Sequence, residues 1–237
     1  MKTIVHRADS RGHADHGWLN AHHSFSFANY YNPQRMNFGV LRVLNDDIIS
    51  GGMGFGMHPH DNMEIITIPL RGDLEHKDSM GNTGRIKSGE IQVMSAGTGV
   101  FHSEYNPDPD RETNLLQIWV MPDKRNVTPR YDQISIREYH RKNELYQVVS
   151  PDAGAQGTWI HQDAWFFLGD FDGGTTSSYT LRKKGNGVYL FVMEGSVSVD
   201  GEVLEKRDAI GISDTGAFTV KAESEARFLL MEVPMTL

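Results

Sequence analysis

Cysteine is absent from the 237-residue chain, which excludes disulfides and thiolate metal sites together. Long apolar runs are absent as well. No stretch approaches the roughly 20 apolar residues that a membrane-spanning helix requires. Met1 to Asn20 is polar and charged, without the apolar segment of a signal peptide. A cytoplasmic location with no membrane partner is therefore expected. Positive charge is the scarcer sign, with 23 lysines and arginines against 31 aspartates and glutamates and a net charge of −8. That balance argues against direct nucleic-acid binding, which rests on neutralising phosphates. Helical periodicity is scarce too. Asp132 to Tyr146 is polar and lacks a wide apolar stripe, so any helix there is expected to be short.

Strand signals fill the space that helices leave. Glu64 to Leu70, Glu90 to Met94 and Asn114 to Met121 are short, β-branched or alternating runs. Glycine and aspartate punctuate them, at Arg71-Gly72-Asp73 and Ser95-Ala96-Gly97-Thr98-Gly99. Asn37 to Leu44 reads as a strand that turns at Asn45-Asp46-Asp47 and resumes at Ile48-Ile49. Many short strands at near-regular spacing predict an antiparallel barrel or sandwich. Pro122 to Pro129 reads as a connector, proline at both ends. Beyond it the same tempo returns in Ser178–Leu181, Val188–Met193, Ser196–Val199, Ala217–Lys221 and Arg227–Val233, with a hairpin turn at Asp200-Gly201. Two copies of one antiparallel β-barrel (jelly-roll) unit are expected, residues 1–135 and residues 136–237.

Chemistry concentrates in His58-Pro59-His60 and in His102-Ser103-Glu104. In a strand, residues i and i+2 face the same side. Each pair can therefore aim two donors into one interior. Imidazoles and a carboxylate suit Fe, Mn, Co, Ni, Cu or Zn, and four ligands leave open positions on an ion that prefers five or six. Glu64, at an even offset from His60, is a second candidate for the acidic ligand or an acceptor that orients an imidazole. Spacing leaves Glu64 and Glu104 both open. The second unit has no H-x-H pair, so no metal ligands are expected there.

Gly52, His58-x-His60, Glu64 and Gly72 resemble the first cupin motif, and Gly89, Ser95-Ala96-Gly97, His102 and Asn106 the second. GWLNAHHSFSFANYYNP, GFGMHPHDNMEIIT, HKDSMGNTG and QVMSAGTGVFHSEYN sharpen this to a resemblance to the pirin branch of the bicupins. The resemblance implies metal ligands His58, His60, His102 and Glu104, one divalent transition metal with Fe(II) the usual choice, and cleavage of the flavonol ring of quercetin by O2. It assigns the acidic ligand to Glu104, which would also serve as catalytic base. The alternative it implies is a redox-responsive metal-binding regulatory module with a protein partner, as in the eukaryotic branch. A different cupin reaction is a third.

The other candidates have plainer readings. His76, among charged neighbours, is expected at a rim or turn. His13, His16, His22 and His23 are irregularly spaced and expected to pack or decorate the surface. His161 is expected to be structural. The glycines of Gly51 to Gly56 precede no helix and no lysine, so they are expected to curve the barrel wall rather than bind a nucleotide. Phe38, Phe55, Met57, Met94, Phe101 and Trp119 would line an apolar pocket or fill ordinary core, core being the expectation for Trp119.

Overall fold

A computed structural model describes residues 1–236. Among these the only helical element is one 3-10 turn, Ala8–Ser10. Everything else regular is strand, in two seven-stranded and two four-stranded sheets. The first large sheet orders Arg130–Ser135, Glu90–Ser95, Glu64–Arg71, Thr113–Val120, Leu41–Ile49, Leu19–His23 and Gly12–Asp15. The first small sheet orders Gly54–His60, Val100–Tyr105, Asp73–Asp78 and Thr83–Lys87. Leu74 and Ile86 of the small sheet pack on Leu19, Ala21, Ile49 and Leu115 of the large one.

The second half repeats this plan. Ala209–Ser213, Asn186–Glu194, Ala226–Pro234 and Trp165–Phe171 follow one another in its large sheet. Thr176–Thr180, Ala217–Ala222, Val197–Val199 and Glu202–Leu204 form its small one. Asp200 (φ 51°) and Gly201 (φ 81°) both take positive φ, the signature of the tight hairpin turn expected there. The jelly-roll plan is thus present twice.

The two large sheets lie face to face. Leu44, Ile66, Ile68, Leu116 and Ile118 meet Phe166, Leu168, Tyr189, Phe191, Leu229 and Met231 in one buried core. Their strands are covered on both faces, which is why they read as near-continuous apolar runs. The first strand, Lys2–His6, pairs with Ala209–Ser213 of the second half, from Lys2 opposite Ser213 to His6 opposite Ala209.

One expected turn is absent. Asn45, Asp46 and Asp47 are buried within the continuous strand Leu41–Ile49. The polar groups of Asn45 and Asp46 find partners from distant elements, while Asp47 Oδ1 has none. His23 Nδ1 and Asn45 Oδ1 lie 2.9 Å apart, and Asp46 pairs with Arg11 at 3.2 Å and Arg207 at 2.9 Å. Buried polar side chains survive in a strand when they are satisfied this way. Asp132–Tyr146 forms no helix, since Arg130–Ser135 continues the large sheet as a strand.

Candidate metal centre

The strand Gly54–His60 alternates faces, so His58 and His60 turn the same way while Met57 and Pro59 face out. The neighbouring strand Val100–Tyr105 runs antiparallel and sets His102 directly opposite His58. Donor nitrogens of His58, His60 and His102 come within 4.8 Å of one another. Ring centroids are 4.4 Å apart for His58–His102 and 4.9 Å for His60–His102.

A β-bulge follows His102. His102 lies opposite His58, but Glu104 lies opposite Phe55. On its other side Glu104 faces His76. The Glu104 carboxylate groups with His102 and His76, again within 4.8 Å. His102 is therefore shared by two clusters. Thr67 Oγ1 lies 3.3 Å from Glu104 Oε1, and Gln117 Nε2 donates to Oε2 at 2.9 Å. These contacts hold the carboxylate at one side of the histidine triad.

The donors suit a metal ion. His58 Nδ1 lies 2.8 Å from the Gly56 carbonyl. A carbonyl only accepts, so Nδ1 carries the proton and Nε2 is left with a lone pair. Both ring nitrogens of His102 are buried with no hydrogen-bond partner. Burial, reinforced by neighbouring imidazoles, pushes His60 down to about 4 and His102 down to about 3. Both are neutral at physiological pH, the form that binds a metal. Orphaned buried nitrogens beside a carboxylate fit a divalent transition metal.

His76 is not at a rim. It is fully buried, its Nε2 3.1 Å from Asp78 Oδ2. Asp78 also accepts from the Met80 and Asn82 amides and from Asn82 Nδ2. Burial alone would raise the Asp78 carboxyl, but hydrogen bonds from Asn82 and His76 hold it below its ordinary value. An ionised Asp78 accepts a hydrogen bond from Nε2–H of His76, so Nδ1, buried without a partner, is left with its lone pair. The clue lay in the alternation: Leu74, His76 and Asp78 are buried while Glu75 and Lys77 are not.

Asp47 is a second residue whose place was not foreseen. It is buried, Oδ1 has no partner, and its carboxyl is pushed up by burial, then by Asp46 and Glu104. Glu64 turns away from the triad. Asn62, at φ 45°, breaks the strand before it, so the even offset from His60 no longer sets its face. Ser95 Oγ donates to Glu64 Oε2 at 2.7 Å, and no imidazole bonds to it.

The apolar candidates separate. Phe55 stands 6.3 Å from His58 and Trp119 4.9 Å from His60, centroid to centroid. Met57 and Phe101 are exposed, Met94 is buried beneath Trp119, and Phe38 belongs to the core between the halves. A cavity of about 500 Å³ opens beside His60, lined by Met63, Val100, Phe101 and Trp119. His13 stacks on His22 at 4.6 Å, His23 is buried on Asn45, and His161 packs edge-on to Trp159. In the second half, Thr176–Thr180 and Ala217–Ala222 correspond to the two histidine strands, and there Tyr179 and Phe218 pack 5.7 Å apart. Both metal-capable clusters among the described residues lie in the first half.

Known proteins carry the same plan. A pirin profile matches residues 5–120, and a profile described as the quercetinase C-terminal cupin domain matches residues 147–233. A quercetin 2,3-dioxygenase of Escherichia coli is 43% identical over 97% of this chain and 98% of its own length. A pirin-like protein of Caulobacter vibrioides is 40% identical over 94% of this chain and 96% of its own. The crystal structure of the bacterial pirin YhhW of Escherichia coli in complex with nickel(II) superposes with a TM-score of 0.93 at 41% identity, covering 98% of this chain and 99% of that one. No helix among the described residues is long and apolar enough to cross a membrane. A two-jelly-roll fold, full-length identity above 40% and a histidine cluster in the first half lead to one assignment: this chain belongs to the pirin family.

Proposed function

We propose that the chain is a metal-dependent dioxygenase that cleaves the flavonol ring of quercetin-like substrates with O2. The observation that carries this reading is the convergence of His58, His60 and His102 beside the buried carboxylate of Glu104, next to a cavity with aromatic walls. The full-length relative named quercetin 2,3-dioxygenase supports it. Fe(II) is the proposed metal. The nickel(II) complex of YhhW suggests that nickel is a workable substitute.

His58, His60 and His102 would hold the metal, with Glu104 as the fourth ligand. When bound, a divalent transition metal supplies Lewis acidity toward the substrate's 3-hydroxyl and 4-carbonyl oxygens and redox access to O2. Glu104 accepts the 3-hydroxyl proton on a carboxylate oxygen, which leaves the flavonol as an electron-rich enolate. Gln117 and Thr67 keep that carboxylate aimed while it changes charge. Trp119, Phe101 and Val100 offer apolar contact to the aromatic rings and keep water from the reacting edge.

Two variants test the assignment. His102→Ala is expected to lose both bound metal, by elemental analysis, and carbon monoxide release. Glu104→Gln keeps three imidazoles but has no base, so turnover is expected to fall by about 10²–10⁴ with metal still measurable. A fully metal-loaded chain that neither takes up O2 nor releases carbon monoxide with any flavonol would sink the dioxygenase reading and leave a metal-binding interaction module.

A further inference from the structure

Val100–Tyr105 has a strand on each side, and both neighbours carry imidazole. On one side His102 lies opposite His58. On the other, Glu104 lies opposite His76 of Asp73–Asp78. One donor atom from each of His76, His102 and Glu104 comes within 4.8 Å of the other two, and all three residues are buried. Donors bonded at about 2.1 Å to one ion stand roughly 3–4.2 Å apart, so small side-chain rotations suffice to close this group on a metal.

His76 is built like a ligand. Asp78 Oδ1 accepts from the Met80 amide at 2.9 Å and the Asn82 amide at 3.0 Å, and Oδ2 accepts from Asn82 Nδ2 at 2.8 Å and His76 Nε2 at 3.1 Å. A carboxylate with these donors around it fixes the His76 proton on Nε2, and Nδ1 stays buried with a lone pair and no partner. A carboxylate on the far nitrogen is the usual arrangement behind a metal-bound imidazole. Tyr131 stacks on the ring at 4.6 Å and 27°, which holds its plane. His58 obeys the same rule, with the Gly56 carbonyl on its Nδ1. His6 gives the contrast. Its Nε2 is also buried without a partner, but it joins no group of metal donors among the described residues.

We propose that His76, His102 and Glu104 form an inner position for the divalent transition metal, behind the outer position at His58, His60 and His102. The positions share His102 and Glu104, so one ion occupies one of them at a time. Two dications on one imidazole and one carboxylate would repel at short range. The outer position is open, with His58 and His60 only half-buried. The inner one is closed, with His76, His102 and Glu104 at 0%, 1% and 3% exposed. Neither His76 nor Glu104 lines the cavity beside His60. The inner position thus holds the ion away from substrate. The inference rests on the metal-holding part of the proposed function and not on its flavonol substrate.

Titration of the chain with Co(II), followed by calorimetry and by the ion's visible absorption with no substrate present, tests this. The double variant His58→Ala, His60→Ala removes the outer position at two half-buried side chains. It is expected to bind one Co(II) per chain, at least about tenfold more weakly than the unaltered chain and with a changed absorption band. Adding His76→Gln to the double variant is expected to weaken Co(II) by a further 10–100-fold, roughly, or more. Adding Glu104→Gln instead is expected to do the same and leaves His76 in place. His76→Gln alone keeps the outer position and is expected to bind one Co(II) per chain. A double variant that binds no Co(II), or one indifferent to both His76→Gln and Glu104→Gln, would overturn the inner position. Two Co(II) ions in the unaltered chain would overturn single occupancy. Equal affinity in the unaltered chain and the double variant would instead overturn the outer assignment and leave the inner position as the metal site. Inertness toward flavonols would touch neither.

Discussion

Glu64 shows how much a single side chain can change meaning between sequence and structure. It sits in a metal-binding motif, yet its carboxylate is buried away from the imidazoles, with Ser95 on Oε2 and nothing on Oε1. Burial raises it from 4.5 to about 7, opposed by the Ser95 hydrogen bond. A carboxyl whose folded value is raised binds its proton more tightly in the folded chain. The resulting stability is fully present below the unfolded value and is lost as pH rises through about 7. The window is worth roughly 3 kcal/mol. Glu64→Gln keeps the shape and cannot ionise. Between about pH 4.5 and about pH 8, its stability to urea relative to the unaltered chain is expected to improve by roughly 3 kcal/mol. A difference independent of pH would show that Glu64 does not carry this cost.

At the scale of elements, the site depends on how closely two strands approach. A Cβ built on Gly54 would come within 2.2 Å of the Glu104 carbonyl oxygen and 2.5 Å of Tyr105 Cα. One turn of the pleat away, Gly56 meets nothing nearer than the Tyr105 hydroxyl at 3.9 Å. Gly54→Ala is therefore expected to push Gly54–His60 off Val100–Tyr105, cost about 1–3 kcal/mol and weaken metal binding by about tenfold or more. Gly56→Ala is expected to leave both nearly unchanged. Thermal melts and metal titration of the pair separate a close strand contact from a general glycine effect.

The same strands show what could be read in advance. His58, His60 and His102 were legible because a two-residue spacing needs only a strand to make it a constellation. His76 was legible in principle, since Leu74, His76 and Asp78 alternate with Glu75 and Lys77, but the charged neighbours suggested a surface. The strand through Asn45-Asp46-Asp47 was not legible. The partners that make Asn45 and Asp46 tolerable, His23 for the one and Arg11, Asn114 and Arg207 for the other, are far off along the chain. Local pattern reports local pairing, and buried polar residues whose partners are distant look like a turn.

For the whole molecule, the repeat of strand tempo was visible along the chain, but the joining of the halves was not. The two large sheets share one apolar core, so each half covers the other. Lys2–His6 strengthens this by leaving the half it begins and closing the edge of the other sheet at Ala209–Ser213. His6 anchors it, nearly buried, with Nδ1 2.8 Å from the fully buried Tyr189 hydroxyl. Arg130–Ser135 plays the matching part on the first sheet, against Glu90–Ser95. Deleting residues 1–6 uncovers a sheet edge and leaves the Tyr189 hydroxyl without its partner. At about 1 kcal/mol net for each hydrogen bond lost, the cost is expected to be roughly 3–5 kcal/mol. An uncovered edge also invites pairing between chains. The truncated protein is therefore expected to melt earlier and to form concentration-dependent oligomers, read by calorimetry and size-exclusion chromatography. Because the histidine strands lie on the opposite small sheet, the fraction that stays monomeric is expected to bind metal with unchanged stoichiometry. A truncated chain as stable as the full one would show that the crossing strand is not what ties the halves together.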